Sequence, residues 1–341
     1  MNRSEMGAVA ESCCGPSRAT PSKQRSQPTT TPASSASDSA TKAAVVAELA
    51  ASATEELQLI GLGAAKFQMG SEDALAYPAD GEGPVRTVRV ASFAISATAV
   101  TVAEFARFVQ ATGHVTDAEK YGDSLVFQGL LPPRLRDRMP APVASTPWWR
   151  QVPGACWFAP EGSGSTARGR EDHPVTQVSQ RDAQAYADWV GARLPTEEEW
   201  EYASRGGLDQ QPYPWGDVRD PEGQRRMNIF PGEFPEGVPG EVGTKPVTSF
   251  KPNGFGLYNT TGNVWEWTAS TFSSGSYASP AASGTTDSTG AAADPVMRGG
   301  SYMCHSSYCR RYRTSARTSA SADSSLGHTG FRLAFTPASP G

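Results

Sequence analysis

Apolar residues change their spacing from that of a strand to that of a helix early in the chain. Alternate positions are apolar over residues 87–95, and this pattern predicts a strand. Thr101 and Glu104 then form a capping-box signature before an amphipathic run that ends at Gly113. We therefore predict a helix over this run. Its predicted buried face consists of Val102, Phe105, Phe108 and Val109.

The same helix-start signature occurs twice more in the middle of the chain. Ser179 with Asp182, and Thr196 with Glu199, each precede a short run of good helix formers. After Gly206 the sequence is dominated by Gly, Pro, Asn, Ser and Trp, with only brief strand-like runs. Much of the fold is therefore predicted to be irregular loop held by side chains. Residues 270–293, rich in Ser, Ala, Thr and Gly, are predicted to be a surface insertion.

The N-terminal part of the chain has a different composition. Residues 16–41 are rich in Ser, Thr, Pro and Ala and contain almost no large apolar side chains that would offset the entropy of ordering. Residues 42–57 are rich in Ala and predict a transient helix, and a strand-like run begins at Leu57. We therefore predict a disordered tail over residues 1–56 and one folded domain over residues 57–336.

Composition and charge exclude several classes of protein. With 34 Gly and 27 Pro among 341 residues, and only 19% charged residues, long helices and coiled coils are disfavoured. No apolar run reaches the about 18 residues that a membrane helix needs. A net charge of -5 gives no basic surface for nucleic acid. The start of the chain lacks an apolar signal region, and its five cysteines do not predict a disulfide framework, so we expect a cytoplasmic protein.

The segment over residues 296–335 contains the most informative chemistry. Cys304 and Cys309 are separated by four residues, and no second cysteine pair is available to complete a four-ligand zinc site. Two soft thiolates alone suit Cu(I), which accepts low coordination numbers. The alternative interpretation of such a spacing is two buried core cysteines.

The residues around this pair resemble a known family. The sequence GGSYMCHSSYCRRYR, followed by GFRLA, closely resembles the active-site segment of formylglycine-generating enzymes, also called sulfatase-modifying factors. The resemblance continues through KFQMGSE, HPVTQVS, RLPTEEEWEYASRGG and NGFGLYNTTGNVWEWT. It implies an α+β fold, a single C-type-lectin-like domain that is rich in loops and has few short helices and strands.

The resemblance also implies an activity and its residues. The family oxidises a cysteine within a Cys-x-Pro-x-Arg segment of a sulfatase polypeptide to formylglycine, using O₂ and Cu(I). Cys304 and Cys309 match the copper-binding pair, while Ser301, Asn263 and Trp265 match positions that line a pocket beside the metal. Taken alone, such Ser, Asn and Trp residues are more often turn and core elements. We expect a monomer, with the sulfatase as its partner.

Calcium is the second metal that the resemblance implies. One site would use Asn259, Gly262, Val264 and Glu266, all as oxygen donors, as a hard cation requires. The alternative is a capped turn in which Glu266 pairs with an arginine. A second site would retain Asn228 and Ile229, but Pro239 stands where the family has an aspartate, so Glu236 or Glu241 would have to substitute or the site is empty.

For the substrate groove, the resemblance points to Asp123, Ser124, Trp148 and Trp149. A carboxylate suits the arginine of the substrate, and aromatic faces suit an extended peptide that contains proline. Core packing of the two tryptophans is the other interpretation. The four histidines form no HxxxHxE cluster of the kind that iron-dependent sulfoxide synthases of this fold superfamily use. The alternative function is a non-catalytic lectin-like binding module.

The predicted tail contains one further motif. Residues 14–18 read Cys-Gly-Pro-Ser-Arg, which is itself a Cys-x-Pro-x-Arg segment. A chance match, a weak competitor of the substrate and a self-modified substrate are the three interpretations of this segment.

Overall fold

The computed structural model describes residues 36–53, 56–141, 146–273 and 293–337, with side chains from Thr41 onward. It has six α-helices within these ranges: α1 Ala36–Ala51, α2 Val102–Thr112, α3 Asp117–Tyr121, α4 Pro133–Arg136, α5 Gln180–Trp189 and α6 Glu197–Arg205. No described helix combines the length and the apolar character needed to cross a membrane. The predicted insertion over residues 270–293 and the Cys-x-Pro-x-Arg segment lie largely or wholly outside the described residues.

Short strands form four small sheets. Strands β1 Leu59–Leu62, β4 Phe93–Ser96 and β11 Ala334–Phe335 make an antiparallel sheet with β4 in the centre. Strands β10 Thr329–Phe331, β7 Trp265–Thr271, β8 Pro295–Arg298 and β9 Arg317–Ser319 make the second, in that order, with β10 parallel to β7. Two antiparallel hairpins pair β2 Ala65–Met69 with β3 Arg86–Val90, and β5 Asp123–Phe127 with β6 Trp149–Pro153. The result is the predicted α+β, C-type-lectin-like domain.

The three predicted helix starts are confirmed by their caps. At α2 the backbone N–H of Glu104 donates to the Thr101 hydroxyl over 3.2 Å, and the Glu104 carboxylate accepts from the Thr101 N–H over 2.7 Å. Such reciprocal bonds satisfy backbone donors that the first helical turn leaves without partners. Ser179 and Thr196 cap α5 and α6 in the same way, and a fourth box at Thr116, which was not predicted, caps α3.

The strand predicted over residues 87–95 is two strands in the structure. β3 ends at Val90 and pairs with β2, whereas β4 begins at Phe93 and pairs with β1 and β11. Ala91 and Ser92 join them, so the alternating pattern continues through a change of sheet. Pattern alone does not distinguish a long strand from two short ones.

Helix α1 extends the folded domain beyond the predicted boundary. Leu49 is fully buried and Val46 is 5% exposed, and both join the main core that includes Phe105 and Val109 of α2. The predicted start of the domain at Leu57 is therefore too late, because residues 36–51 form a helix that packs against α2. Apolar residues at positions 45, 46 and 49 give α1 one buried face, and tertiary packing stabilises it.

Buried ion pairs connect the C-terminal loops to distant parts of the chain. Arg313 donates to Glu82 through both terminal nitrogens, at 2.5 and 2.6 Å, and Arg317 donates to Glu197 in a similar fork. Arg298 pairs with both Glu197 and Glu201. Burial raises the pKa of Glu201, but Arg298 and Arg205 outweigh it and hold this pKa below its usual value. These contacts fix the loop between β8 and β9.

Candidate active site

Cys304 and Cys309 lie in the loop between β8 and β9, and the structure brings their sulfur atoms together. Their Sγ atoms are 3.4 Å apart, so they are not joined by a disulfide, whose length is about 2.05 Å. Both residues are almost fully buried, at 1% and 2% exposure. The N–H of Cys304 donates to the Ser301 carbonyl over 2.9 Å, and that of Cys309 to the His305 carbonyl over 2.8 Å. Two consecutive turns therefore aim both thiols at one point.

Ser301 is the first residue beside the cysteine pair. Its backbone N–H lies 3.4 Å from Sγ of Cys304, as a donor to the sulfur, and its hydroxyl oxygen lies 3.3 Å from Nδ1 of His328. The His328 carbonyl accepts from the N–H of Trp265 over 2.9 Å, and Trp149 packs edge-on against the His328 ring at 4.7 Å. Ser301 thus contacts Cys304 directly, and His328 links Ser301 to Trp265.

His328 is a site residue that the sequence reasoning missed. The sequence suggests histidines only as possible members of an iron cluster, although the GHTGFR segment lies within the resembling stretch. His328 is fully buried, and Trp265 beside it is also fully buried, with an indole N–H that has no acceptor among the described residues.

Asn263 holds the surrounding loops together. Its side-chain oxygen accepts from Nδ2 of Asn228 over 3.0 Å and from the Lys245 N–H over 2.9 Å, and its own Nδ2 donates to the Lys245 carbonyl. Its carbonyl accepts from the N–H of Tyr302, the residue after Ser301. Because both ends of its amide are engaged in the scaffold, Asn263 supports the cysteine loop and does not present its amide to a pocket.

A positively charged group lies on the other side of Cys309. The Nη1 atom of Arg311 is 3.9 Å from Sγ of Cys309, and Asp80 holds the guanidinium through bonds of 2.5 and 2.9 Å. The Tyr77 ring lies under the guanidinium at 4.4 Å. Burial raises the pKa of Asp80, although Arg311 opposes this shift. The guanidinium is thus fixed where it offsets negative charge on the sulfur.

Trp148, Phe234 and Tyr308 form a half-exposed aromatic surface next to the cysteine pair. Phe234 stacks on Tyr308 at 4.3 Å with an interplanar angle of 7°, and Trp148 meets the Tyr308 ring edge-on at 4.7 Å. Tyr308 directly precedes Cys309 in the chain. A half-exposed aromatic surface thus lies next to Cys309 in the chain.

The four predicted groove residues have different environments. Trp148 belongs to the aromatic surface, and Asp123 is half-buried and accepts from Nε2 of Gln151 over 2.9 Å. Ser124 and Trp149, by contrast, are fully buried. The Ser124 hydroxyl bonds to Gln177 and Ser325, and Trp149 packs on His328, so the prediction that these two line the groove is wrong. Alternation along β5 turns Ser124 toward the core, and Trp149 lies opposite the buried Phe127 in the β5–β6 pairing.

The predicted calcium loop has a mixed set of donors. The side-chain oxygen of Asn259 is buried and has no hydrogen-bond donor among the described residues. The carboxylate of Glu266, however, accepts from Arg332 at 2.6 and 2.8 Å and from the Trp200 indole N–H at 2.6 Å. A cation bound to Asn259 and to the carbonyls of Gly262 and Val264 would share Glu266 with Arg332.

The residues of the second predicted calcium site make hydrogen bonds within the protein. Asn228 donates through Nδ2 to the Gly243 carbonyl over 2.8 Å, and the Ile229 carbonyl accepts from Nη2 of Arg225 over 2.7 Å. Pro239, Glu236 and Glu241 are all exposed. The loop is thus held by hydrogen bonds among its own residues. Within the described ranges, no group of three or more His, Cys, Asp or Glu side chains is close enough to hold a metal ion.

Fold and site together define a class: an α+β, C-type-lectin-like domain with two buried thiols beside a half-exposed aromatic surface. Residues 43–337 match the sequence model of the sulfatase-modifying factor enzyme 1-like domain. The chain belongs to this family.

Similar proteins agree with this assignment. The formylglycine-generating enzyme of Thermomonospora curvata is 51% identical over 284 residues, which cover 82% of this chain and 93% of the relative. The enzyme of the same name from Streptomyces coelicolor is 53% identical, covering 79% and 86%. The bovine protein named inactive C-alpha-formylglycine-generating enzyme 2 is 40% identical, covering 82% and 88%. PvdO from Pseudomonas aeruginosa shares the fold, with a TM-score of 0.55, 24% identity and coverage of 82% and 94%.

Proposed function

We propose that this protein is an oxidoreductase that generates formylglycine. It oxidises the cysteine of a Cys-x-Pro-x-Arg segment in a sulfatase polypeptide, using O₂, as a post-translational modification. Membership of the family and the names of its similar relatives support the activity. The single observation that carries the proposal is the 3.4 Å separation of two buried sulfur atoms, Sγ of Cys304 and Sγ of Cys309.

Cu(I) is the cofactor that the cysteine pair fits. Two soft thiolates at one point suit this ion, which accepts a low coordination number. Cys304 and Cys309 would hold it. Bound there, copper supplies the reaction with O₂ and the electron transfer that amino-acid side chains do not provide.

The remaining residues of the site orient and protect the two sulfurs. The Ser301 N–H and the Arg311 guanidinium lie on the Cys304 and Cys309 sides respectively, and both stabilise negative charge on sulfur. The His328 ring contacts the Ser301 hydroxyl and so holds Ser301 in place. The burial of both cysteines excludes bulk water, which strengthens these electrostatic interactions.

The β5–β6 hairpin supports the motif proposed for the substrate. In an extended peptide, the cysteine and arginine of Cys-x-Pro-x-Arg lie about 13 Å apart, at about 3.3 Å per residue. Asp123 and Phe127 are the two ends of β5, also four residues apart, and Trp149 pairs with Phe127. We propose that such a peptide runs along β5, with its cysteine beside Tyr308, its proline on the aromatic surface and its arginine toward Asp123.

A non-catalytic binding module is the second candidate function. The family contains a relative that is named inactive, so membership alone does not decide between the two. A binding module has no chemical need for a buried thiol pair with a fixed guanidinium beside it. The geometry of Cys304, Cys309 and Arg311 therefore favours the enzyme.

Calcium remains part of the proposal as a structural ion near Asn259. The buried side-chain oxygen of Asn259 is an acceptor that such an ion would satisfy, and the carbonyls of Gly262 and Val264 are further hard donors in the same turn. Glu266 would bind the ion while keeping its contact with Arg332. The site at Asn228 and Ile229 carries less weight, because Arg225 already donates to the Ile229 carbonyl that a calcium ion would need.

The decisive experiment is turnover of a synthetic Cys-x-Pro-x-Arg peptide by copper-loaded enzyme with O₂ and a thiol reductant. Cys304→Ala and Cys309→Ala should each lose activity and Cu(I) binding while keeping the native melting temperature. Cys156→Ala is the matched control, since Cys156 is equally buried but lies outside the site, and burial raises its pKa to about 12. Substantial activity in either site variant, with copper supplied, would refute the mechanism.

We further propose that the enzyme acts as a monomer in the cytoplasm. Sedimentation of the purified protein at micromolar concentration tests the oligomeric state, and fractionation of the producing cells tests the location.

A further inference from the structure

The N-terminal segment of this chain contains the pattern that the proposed function requires of a substrate. Residues 14–18 read Cys-Gly-Pro-Ser-Arg, with cysteine, proline and arginine at all three fixed positions. We infer that Cys14 is a modification site, converted to formylglycine by the Cys304–Cys309 site of the same chain. This inference rests on the proposed function and extends it to a substrate within the enzyme itself.

Helix α1 fixes the place where the N-terminal segment joins the folded domain. Leu49 and Val46 anchor the helix in the core. Nearer its start, Lys42 forms an ion pair with Glu119 of α3, and its ammonium group lies 5.6 Å from the centre of the Phe158 ring. The first turns of α1 therefore lie beside α3.

Helix α3 leads from this point to the active site. It ends at Tyr121, and β5 begins two residues later at Asp123. An open cleft of about 940 Å³ adjoins this junction, and its lining includes Lys42, Gly122 and Gly154. From Asp123 the hairpin extends about 13 Å to Trp149, at about 3.3 Å per residue. Its neighbour Trp148 contacts Tyr308, which precedes Cys309.

The length of chain before α1 is sufficient to cover this path. Cys14 precedes Ala36 by 22 positions, which span at most about 75 Å, at about 3.4 Å per residue. Residues 36–42 add about 9 Å of helix, at about 1.5 Å per residue. Together with the hairpin and the side-chain contacts at each end, the path from Ala36 to Cys309 is on the order of 35 Å. The chain between Cys14 and Ala36 is thus about twice as long as the path that it has to span.

Covalent attachment also gives the segment an advantage over a separate peptide. A tether that spans its site comfortably produces an effective concentration near about 1 mM, so even a weak substrate sequence is engaged. The geometry proposed for an external substrate applies unchanged, because Pro16 and Arg18 stand two and four residues after Cys14. Their partners would be the aromatic surface of Trp148, Phe234 and Tyr308, and the Asp123 end of the hairpin.

The reaction balances with the reactants that the proposed function already uses. At Cys14 the Cβ–S bond and one Cβ–H bond break, and a Cβ=O bond forms. Sulfur leaves as hydrogen sulfide. One O₂ is reduced to two water molecules by two electrons from the Cys14 Cβ–SH group and two from external thiols, which become a disulfide, and a water molecule supplies the aldehyde oxygen.

The sequence provides its own control for this inference. Cys13 is adjacent to Cys14 and has the same reach, but glycine and serine stand two and four residues after it, where the motif requires proline and arginine. General thiol oxidation would affect both cysteines, whereas recognition of the motif selects Cys14 alone.

The test uses peptide mapping of the purified full-length chain after it has been loaded with Cu(I) and incubated with a thiol reductant in air. Peptide mapping should show a mass loss of about 18 Da at Cys14 and none at Cys13, and an aminooxy probe should label the same peptide. Cys309→Ala and Arg18→Ala should abolish the label. The rate should stay constant over a hundredfold dilution of the enzyme, because the reaction is within one chain. A rate that falls in proportion to concentration would overturn the same-chain route.

An external Cys-x-Pro-x-Arg peptide in the same reaction separates this inference from the proposed function. If the peptide is converted while Cys14 remains a thiol, the inference fails and the proposed function stands. If the peptide is not converted, the proposed function fails, and the inference, which rests on it, fails as well.

A binding measurement gives a readout without turnover. Deletion of residues 1–34, which keeps α1, should tighten binding of a fluorescent Cys-x-Pro-x-Arg peptide to metal-free protein by about tenfold, because the tethered competitor is removed. Equal affinity of the full-length and truncated chains would show that the segment does not enter the site.

Discussion

The hydroxyl oxygen of Ser301 lies 3.3 Å from Nδ1 of His328, and this contact joins the cysteine loop to strand β10. Ser301 holds the loop at Cys304 through its N–H and at Met303 through its hydroxyl. The carbonyl of His328 holds Trp265 at the start of β7. The 3.3 Å contact therefore fixes the thiol pair in place relative to the four-stranded sheet.

We predict that His328→Ala lowers kcat by about tenfold or more while KM for a peptide changes by less than about twofold, because misplacing a reacting group slows chemistry more than binding. The change removes the ring that supports Ser301, but leaves the aromatic surface intact. Steady-state kinetics and Cu(I) titration measure the two effects. A large rise in KM with unchanged kcat would mean that His328 contacts the substrate and does not position Ser301. His305→Ala, which alters a partly exposed histidine of the same loop, serves as the control.

The local features of the fold were predictable from sequence, whereas its long-range contacts were not. Thr101, Ser179 and Thr196 begin helices because a cap depends only on residues three positions apart. The pair of Arg313 and Glu82 spans 231 positions, and no local pattern contains it. The side-chain burial of Ser124 and Trp149 also depends on partners such as Gln177 and His328, which lie far away in sequence.

The candidate site shows the same division. Cys304 and Cys309 are close in sequence, so their meeting followed from spacing and from the family resemblance. The guanidinium of Arg311 was visible in the motif, but its fixation by Asp80 and Tyr77 required a contact across more than 230 positions. Asn263 matched a pocket position, yet its amide is engaged by Asn228 and Lys245, which only the folded structure brings close.

We predict that Glu82→Ala destabilises the protein by about 3–5 kcal/mol, because it leaves the guanidinium of Arg313 buried without its counter-charge. Arg313 is only 1% exposed, and Glu82 also accepts from Ser315 and from the N–H of Tyr77. Urea unfolding measures the change. Glu48→Ala, which breaks the exposed pair with Arg168, is the control and should cost less than about 1 kcal/mol. Equal effects of the two changes would show that the buried network contributes no special stability.

We predict that α1 is part of the folded unit. Leu49→Ala should cost about 2–5 kcal/mol, as is usual when a fully buried leucine leaves a cavity. Deletion of residues 1–34 should leave the melting temperature unchanged, whereas deletion of residues 1–56 should lower it by several degrees, because it uncovers the apolar face of α2. Thermal melts of the three variants provide the measurement. If the longer deletion melted like the full chain, the packing of α1 on α2 would contribute nothing to the stability of the fold.

We predict that removing calcium lowers the melting temperature of the protein. An ion that binds only the native state stabilises it by mass action, and the buried oxygen of Asn259 is the donor that an ion would satisfy. Dialysis against a chelator should shift the melt downward, and added Ca²⁺ should restore it. Asn259→Ala should lose this dependence on calcium while keeping both cysteines and their Cu(I) affinity.

The environment of Glu266 makes this prediction specific. Arg332 and the indole of Trp200 already engage its carboxylate, so an ion bound there must coexist with a guanidinium held at 2.6 and 2.8 Å. Metal analysis of the purified protein should give about one calcium per chain if the ion and Arg332 share the carboxylate. A protein without calcium, and with the same melting curve before and after chelation, would mean that Arg332 has taken the place of the ion. In that case Glu266→Gln would still destabilise the fold, because it weakens the charge that compensates the buried Arg332.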